Sequence, residues 1–353
     1  MTPKLRPLLR NLPSYKPGRR PAPGQDLARL ASNETPLGPL PSVVDAVARA
    51  VADGNRYPDP AVTQLTAALA AKHGVPESQV AVGCGSVSLI QQMVQIAADA
   101  GDEVMYAWRS FEAYPGFVKV AGAQPVEVPL NGYEHDLKSM ADRVTDATKL
   151  VILCSPNNPT GPALREDDVR TFLQSIRDDV LVVLDEAYAE FVDDPDAVDG
   201  RRLLADHPNL AVLRTFSKAY GLAGLRVGYC LAGSPDTAAA LRQVQVPFSV
   251  SLPAQAAALA SLDAEAELRE RVEAVMAERE PLRQALRELG YDVPPSQGNF
   301  VWLPTGADTM RVAQVFDDNG VLVRPFDGDG IRITVTTAAD SRRVIAAAKA
   351  ALG

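Results

Sequence analysis

The chain has 353 residues, of which 46% are hydrophobic and 22% charged, and its formal net charge is −9. These values are typical of a soluble globular protein with room for two domains. The acidic excess argues against a nucleic-acid or anionic-membrane partner. No run approaches the roughly 20 consecutive apolar residues of a membrane span, and the proline-broken N-terminus lacks the apolar region of a secretory signal. We therefore expect a cytoplasmic protein.

The cysteines and histidines do not form a metal-ligand pattern. Cys84, Cys154 and Cys230 are odd in number and widely spaced, as expected for thiols kept reduced in a cytoplasm. The histidines show no metal-ligand spacing with one another or with the cysteines. The chain also has no GxSxG nucleophile motif. We therefore predict no metal site and no serine nucleophile of that type.

Residues 75–250 alternate short apolar runs with helical patterns. The runs include "QVAVG", "EVMYAW", "KLVILCS", "VLVVLDEAY" and "LAVLRTFS". Several lack period-two alternation, which is typical of strands buried on both faces. Amphipathic stretches such as "SVSLIQQMVQIAADAGD" lie between them. This alternation predicts an α/β fold with a mostly parallel sheet covered by helices.

The texture of the sequence changes near residue 254. A long Ala/Glu/Arg-rich helical segment follows, in which Pro281 would cause a kink. Strand-like "NFVWLP", "VLVRPF" and "IRITVTT" then alternate with helical patterns, which predicts a smaller α+β domain. We expect an N-terminal arm over 1–32, a large domain over 33–252 and a small domain over 253–353.

Polar motifs follow the ends of several predicted strands. They are "GCGSVS" after "QVAV", "SPNNPTG" after "LVILC", "DEAY" after "LVVL" and "TFSK" after "AVLR". Ligands of open α/β sheets bind beyond the carboxyl ends of the strands. Each motif also has a plainer interpretation, because Asn, Pro and Gly form turns and Asp caps helices. The glycines before a helix in "GCGSVS" offer an anion site.

Together these polar side chains suit a single ligand with four groups: a phosphate, a basic ring nitrogen, a phenolic oxygen and an aldehyde. Pyridoxal 5′-phosphate has all four. The side chains expected at the phosphate are Ser86, Thr215, Ser217 and Arg226. Asp185 is expected at the ring nitrogen, Asn158 and Tyr188 at the phenolic oxygen, and Lys218 at the aldehyde.

The sequence resembles the fold-type I, pyridoxal-phosphate-dependent aminotransferases of class II, in their histidinol-phosphate and aromatic amino acid branch. The resemblance covers nearly the whole chain, through "LASNETPLGPLP", "NRYPD", "GCGSVSLIQQ", "WRSFEAYP", "SPNNPTG", "DEAY", "TFSKAYGLAGLRVGY", "SQGNFVWLP" and "RITVTT". It is most similar to the actinobacterial aromatic amino acid aminotransferases. Histidinol-phosphate enzymes usually have Tyr-Gly where this chain has Phe111-Glu112.

The resemblance implies catalytic roles for Lys218, Asp185 and Tyr188. Lys218 would carry the cofactor on its amine and move a proton on the substrate, which requires a lowered pKa. Asp185 would keep the ring nitrogen protonated. Tyr188 and Asn158 would hold the phenolic oxygen, and Phe111 would stack on the ring. The phosphate-binding residues implied are Gly85, Ser86, Val87, Thr215, Ser217 and Arg226.

The resemblance also implies a substrate site and a homodimer. Arg332 matches the arginine that binds the substrate α-carboxylate. Tyr57 corresponds to a tyrosine that is donated across the dimer interface to the neighbour's phosphate. The other substrate-binding residues expected are Tyr15, Asn33, Asn158 and Arg324.

The reaction implied is a ping-pong transfer of the amino group from an aromatic L-amino acid to 2-oxoglutarate. L-Histidinol phosphate remains an alternative amino donor, because the residues alone do not separate the two. Elimination or decarboxylation on the same fold is a second alternative. A non-enzymatic regulator built on this fold would need a DNA-binding domain, for which the short arm leaves no room.

Overall fold

The computed structural model describes residues 4, 6–10, 12 and 26–353. Tyr15 lies outside the described residues. The strands are β1 Ala28–Arg29, β2 Val80–Gly83, β3 Glu103–Trp108, β4 Gln124–Pro129, β5 Thr148–Cys154, β6 Leu181–Asp185, β7 Leu210–Thr215, β8 Gly228–Ala232, β9 Phe300–Pro304, β10 Val321–Leu322, β11 Arg324–Phe326 and β12 Gly330–Thr334.

The helices are α1 Pro41–Ala52, α2 Thr63–His73, α3 Ser86–Ala97, α4 Tyr114–Ala121, α5 Leu137–Asp142, α6 Glu166–Ser175, α7 Pro235–Val244, α8 Leu252–Asp263, α9 Glu265–Glu288, α10 Thr309–Asp318 and α11 Ala338–Ala350. Short 3-10 turns lie at Pro7–Arg10, Glu77–Gln79, Ala189–Phe191, Gly200–Arg202 and Gly306–Asp308. In the described part of the chain, no helix combines the length and apolarity needed to cross a membrane.

A seven-stranded sheet forms the centre of the molecule, in the order β2-β8-β7-β6-β5-β3-β4. Strand β8 runs antiparallel to both of its neighbours, and the other pairs are parallel. The predicted mostly parallel sheet is therefore confirmed. Because β2 and β7 both oppose β8, the carboxyl ends of β2, β5, β6 and β7 lie at the same edge of the sheet.

The central strands are buried on both faces. Val182 and Leu184 of β6 belong to one hydrophobic core, and Val183 between them belongs to the other. Successive side chains of a strand point to opposite faces, so two core layers sandwich the sheet. This arrangement explains why the strands appear in the sequence as continuous apolar runs rather than alternating ones.

The C-terminal part of the chain contains a smaller antiparallel sheet in the order β11-β12-β9. The N-terminal segment is fixed to this part from Ala28 onward. Strand β1 pairs with β10, and the Leu30 carbonyl accepts a hydrogen bond from the Thr334 amide, 2.9 Å away. This pairing brings residues 30–34 to the carboxyl edge of the large sheet. The domain boundaries at residues 32 and 252 stay a prediction.

The long helical segment after residue 254 differs from the expectation. It is divided at Ala264 into α8 and α9, whereas Pro281 lies inside α9 without ending it. The division at Ala264 was not predicted, and the kink at Pro281 stays a prediction. Buried residues on both sides of the proline, Val275 and Leu282 among them, anchor α9. This packing offsets the backbone hydrogen bond that a proline removes.

Candidate active site

Lys218 lies in the loop that follows β7 and lines a cavity at the carboxyl edge of the sheet. Its Nζ donates a hydrogen bond to the Ser32 carbonyl oxygen, 2.9 Å away. Burial and, to a lesser extent, the positive charge of Arg332 lower the Lys218 pKa to about 7, while the negative charge of Glu34 opposes the shift. A substantial fraction of this amine is therefore neutral near pH 7, as a nucleophile or base requires.

Asp185 ends β6 in the same cavity. Its Oδ2 accepts a hydrogen bond of 2.7 Å from the Tyr114 hydroxyl. Its Oδ1 is buried and has no hydrogen-bond partner among the described residues. Burial raises the Asp185 pKa to about 6, while the Tyr114 hydrogen bond opposes this shift. Buried polar atoms are nearly always satisfied, so Oδ1 marks the place of a missing donor.

Asn158 and Tyr188 are linked to the N-terminal segment and to β12. The Asn158 Oδ1 accepts a hydrogen bond of 2.6 Å from Arg332 Nη1, and Arg332 Nη2 donates to the Ala31 carbonyl, also 2.6 Å away. The Tyr188 hydroxyl accepts a hydrogen bond of 2.9 Å from Asn33 Nδ2. Burial raises the Tyr188 pKa to about 12, while the Arg332 charge lowers it. Asn33 therefore acts on the site through Tyr188.

An anion site forms where α3 begins. Gly85 has φ +78 and precedes Ser86, the first residue of α3, so the helix starts with unpaired amides. Arg226 lies against Gly85, since a Cβ there would be 2.5 Å from Arg226 Nη2. Thr215 donates a hydrogen bond of 3.0 Å to the Ser217 hydroxyl, which also accepts one of 3.4 Å from Arg226. A helix N-terminus with an arginine suits a phosphate.

One cavity of about 250 Å³ brings most of the expected residues together. Phe111 forms part of its wall and packs edge-on against Tyr114, with ring centres 5.4 Å apart. The expected residues that line this cavity are Ser86, Val87, Phe111, Asn158, Asp185, Tyr188, Thr215, Ser217, Lys218, Arg226 and Arg332.

Besides Gly85 and Asn33, whose contacts are given above, two of the expected residues that the structure describes do not line the cavity. Arg324 forms an ion pair with Glu112, in which Nη2 donates to Oε1. Tyr57 has 81% of its side chain exposed and stacks on Phe248 at 4.5 Å. Neither residue contributes to the wall of this cavity within one chain, so their predicted roles stay predictions, as does that of Tyr15.

Sequence reasoning missed several residues of the site. Ser32, Glu34 and Cys154 line the cavity. Tyr114 does not line it but donates a hydrogen bond to Asp185. Ser32 and Glu34 lay in the motif "LASNETPLGPLP" and Tyr114 in "WRSFEAYP", yet no local pattern assigned them a role. Tyr114 is 71 residues from Asp185, and only the fold brings the two together.

Comparison with known proteins identifies the family. The sequence model of aminotransferase class I and II matches residues 25–347. A protein of Thermobifida fusca named aromatic amino acid aminotransferase is 54% identical over 334 residues, which are 94% of this chain and 93% of that protein. A protein of the same name from Streptomyces avermitilis is 52% identical over 95% of this chain and 93% of its own length.

Solved structures show the same fold. Histidinol-phosphate aminotransferase from Sinorhizobium meliloti, solved with pyridoxal-5′-phosphate, has a TM-score of 0.89 and 31% identity, covering 100% of this chain and 98% of that one. Aspartate aminotransferase from Thermus thermophilus with maleate has a TM-score of 0.86 and 24% identity, covering 99% of this chain and 100% of that one. The chain therefore belongs to the class I and II aminotransferases and has their fold-type I architecture.

Proposed function

We propose that this chain is a pyridoxal-phosphate-dependent aminotransferase that transfers the amino group of an aromatic L-amino acid to 2-oxoglutarate by a ping-pong reaction. The observation that carries the proposal is the convergence in one cavity of a lysine with a lowered pKa, a buried carboxylate oxygen without a donor and a helix N-terminus. The relatives named above support the aromatic donor.

The residues of the cavity fit the cofactor group by group. The unpaired Asp185 Oδ1 can accept a hydrogen bond from the protonated ring nitrogen. The start of α3 and Arg226 suit the phosphate. Phe111 can cover a face of the ring, and Asn158 and Tyr188 can donate to the phenolic oxygen. Lys218 can bind the aldehyde carbon.

When bound, the cofactor supplies an electron sink for the negative charge that develops at the substrate Cα. The protein contributes the charges and protons around it. Asp185, with a pKa of about 6, is ionised at pH 7 to 8 and would keep the ring nitrogen of the bound cofactor protonated. Lys218 Nζ, with a pKa of about 7, can take the proton from the substrate Cα and return it.

Arg332 is the proposed anchor of the substrate α-carboxylate. Its guanidinium is buried at the cavity wall, held by Asn158 and the Ala31 carbonyl. An arginine fork matches a carboxylate in two parallel hydrogen bonds. Tyr15, Asn33 and Arg324 complete the proposed substrate site.

The proposal includes a homodimer in the cytoplasm, in which Tyr57 reaches the phosphate of the neighbouring chain. The homodimer is supported by the exposure of Tyr57, which stacks on Phe248. Val246, two residues before Phe248 in the sequence, is also 68% exposed. Exposed aromatic and aliphatic side chains of this kind are typical of interfaces.

Cofactor loading and steady-state kinetics test the proposed function. We expect a visible or near-ultraviolet absorption band after incubation with pyridoxal phosphate, and we expect Lys218→Ala to lose it. With 2-oxoglutarate as acceptor, kcat/KM for phenylalanine or tyrosine should exceed that for L-histidinol phosphate, the alternative donor suggested by the name of the Sinorhizobium neighbour. A larger value for histidinol phosphate would refute the aromatic assignment. Release of ammonia or CO₂ without a keto acid would instead indicate elimination or decarboxylation.

A further inference from the structure

Two arginines face the same side of the small sheet next to the substrate site. Arg324 of β11 and Arg332 of β12 are directly paired in antiparallel register, so their side chains lie on the same face. Their guanidinium carbons lie 5.9 and 6.0 Å from the centre of the Phe326 ring. Like charges directly opposite each other repel, so this arrangement calls for a neighbouring negative charge.

Glu112 supplies that charge from the loop between β3 and α4. Its Oε1 accepts a hydrogen bond from Arg324 Nη2, and the two side chains are only 22% and 12% exposed. Glu112 directly follows Phe111, which lines the cavity. Arg324, Arg332 and Glu112 together carry one net positive charge beside the proposed site of the substrate anion, and the neighbouring Arg109–Asp329 ion pair adds none. An ion pair this poorly exposed to water is costly to break.

We infer that Glu112 is a specificity-determining residue, which restricts the group bound at Arg332 to a singly charged carboxylate and disfavours a phosphate monoester. This inference rests on the proposed function, because it names the charge class of substrate for the same site. A carboxylate has one negative charge and needs one arginine fork. A phosphate monoester has a charge of about −1.5 to −2 at pH 7.

Arg324 is the second arginine that a doubly charged group would use, and Glu112 occupies it. A phosphate monoester at Arg332 would meet the Glu112 carboxylate, or would displace it and leave it unpaired in a partly buried position. Both outcomes weaken phosphate binding, since like charge at close quarters and an unpaired buried charge are each unfavourable. The chain thereby distinguishes an amino acid from an amine with a phosphate ester.

A matched pair of competitive inhibitors tests the inference on the cofactor-loaded enzyme at pH 8. 3-Phenylpropanoate and 2-phenylethyl phosphate share the ring and differ mainly in the charge of the anion. We expect Glu112→Gln to tighten the phosphate inhibitor by about tenfold or more, and to change the carboxylate inhibitor by less than about threefold. The kcat/KM ratio of histidinol phosphate to phenylalanine should rise in the same direction.

Three variants serve as controls. Glu112→Asp keeps the charge and should keep the wild-type ratio of inhibition constants. Adding Arg324→Gln to Glu112→Gln should abolish the gain, because the gain depends on that guanidinium. Asp329→Asn breaks the ion pair of Asp329 with Arg109, another link between the loop after β3 and the β11–β12 hairpin. This change should shift the ratio less than Glu112→Gln does, because Arg109 lies over the same Phe326 ring but the ion pair that is broken involves neither Arg324 nor Arg332.

An unchanged ratio of inhibition constants in folded Glu112→Gln would overturn the inference, and Glu112→Ala provides the same measurement if Glu112→Gln does not fold. An equal shift in Asp329→Asn would also overturn it, because the effect would then be a general loosening of the hairpin. Failure of the proposed function is separate. It would appear as wild-type enzyme that does not transaminate phenylalanine, whereas the inhibition constants require no turnover with that substrate.

Discussion

Asp185 and Lys218 illustrate how burial prepares single residues for chemistry. Burial disfavours the charged form of both groups. The lysine pKa therefore falls to about 7 and the carboxyl pKa rises to about 6. Between pH 7 and 8 the carboxylate is charged while a growing fraction of the amine is neutral. This pair of protonation states is the one that the proposed function needs.

Tyr114 is the residue that holds Asp185 in its charged form. Its hydroxyl donates a hydrogen bond of 2.7 Å to Asp185 Oδ2. This hydrogen bond lowers the Asp185 pKa, which burial alone would raise further. We predict that Tyr114→Phe raises the Asp185 pKa above 6 and weakens pyridoxal phosphate binding by roughly 10-fold, as expected for a lost hydrogen bond to a charged group. The defect should be largest at pH 6 and shrink toward pH 8, because the carboxyl group ionises again as pH rises. Equilibrium dissociation constants between pH 6 and 8 measure it.

Tyr106→Phe is the matched control for this prediction. Tyr106 is a fully buried tyrosine whose ring centre lies 5.8 Å from that of Tyr114, and its hydroxyl donates to Glu127, 3.1 Å away, instead of Asp185. We expect the control to bind the cofactor as the wild type does at each pH. Wild-type binding by Tyr114→Phe across this pH range would show that Tyr114 does not position Asp185.

At the scale of elements, the ends of β6 and β7 are fixed to each other by a buried ion pair. Arg214 Nε and Nη2 donate to Glu186 Oε2 at 2.9 and 2.6 Å, and the Gly200 amide donates to Glu186 Oε1 at 2.6 Å. Glu186 follows Asp185 in sequence, and Arg214 precedes Thr215. The rigid pairing of the two strand ends therefore determines where the polar side chains of the site lie.

Strand β8 brings a glycine against the start of α3. Gly228 pairs with Gly83 on one side and with Thr215 on the other. A Cβ at this position would lie 2.5 Å from the Ser86 backbone nitrogen. We predict that Gly228→Ala displaces the helix N-terminus and weakens pyridoxal phosphate binding by about tenfold or more, in line with the cost of overpacking. Binding of pyridoxal, which lacks the phosphate, should change much less, and titrations with both ligands separate the two effects.

Gly224→Ala is the control for Gly228→Ala. A Cβ at Gly224 would meet nothing within 4 Å, although the residue lies two positions before Arg226. This variant should therefore bind pyridoxal phosphate as tightly as the wild type. If Gly228→Ala lost affinity for pyridoxal and pyridoxal phosphate equally, the glycine would support the fold in general and not the anion site.

The large sheet was predictable from the sequence because its strands are continuous apolar runs that end in polar motifs. The break at Ala264 was not, since "LDAEAE" contains no glycine or proline to mark it. Strands β1 and β10 have two residues each, too few for a recognisable pattern. Contacts between residues that are far apart in the sequence could not be predicted either. Glu112 and Arg324 are 212 positions apart, and only the fold pairs them.

At the scale of the whole molecule, the proposed dimer would complete each site with Tyr57 of the partner chain. Tyr57 is 81% exposed and lies outside the cavity lining of its own chain. Phe248, on which it stacks, is 41% exposed and has φ +61. A positive φ is unfavourable for a bulky residue, so surrounding structure must hold this aromatic pair at the surface.

Mixed dimers test whether the site is shared. Consider a dimer of one Lys218→Ala chain and one Tyr57→Phe chain. If the site is shared, the cavity of the Lys218→Ala chain lacks the lysine and also receives phenylalanine from the partner at position 57. The other cavity combines an intact Lys218 with an intact Tyr57 from the partner. We expect this second cavity to bind pyridoxal phosphate with wild-type affinity and to show the absorption band. The Tyr57→Phe homodimer should bind it several-fold more weakly, by the loss of one hydrogen bond to a charged group.

The two homodimers, purified with different affinity tags, provide the controls for the mixed dimer. If Tyr57 acted within its own chain, the cavity with the intact lysine would lack the tyrosine, and the mixed dimer would bind no more tightly than the Tyr57→Phe homodimer. That result, or a monomeric wild-type chain in sedimentation experiments, would refute the shared site. Wild-type affinity at half of the sites of the mixed dimer requires a tyrosine supplied by the partner, because the chain with the intact Lys218 has none at position 57.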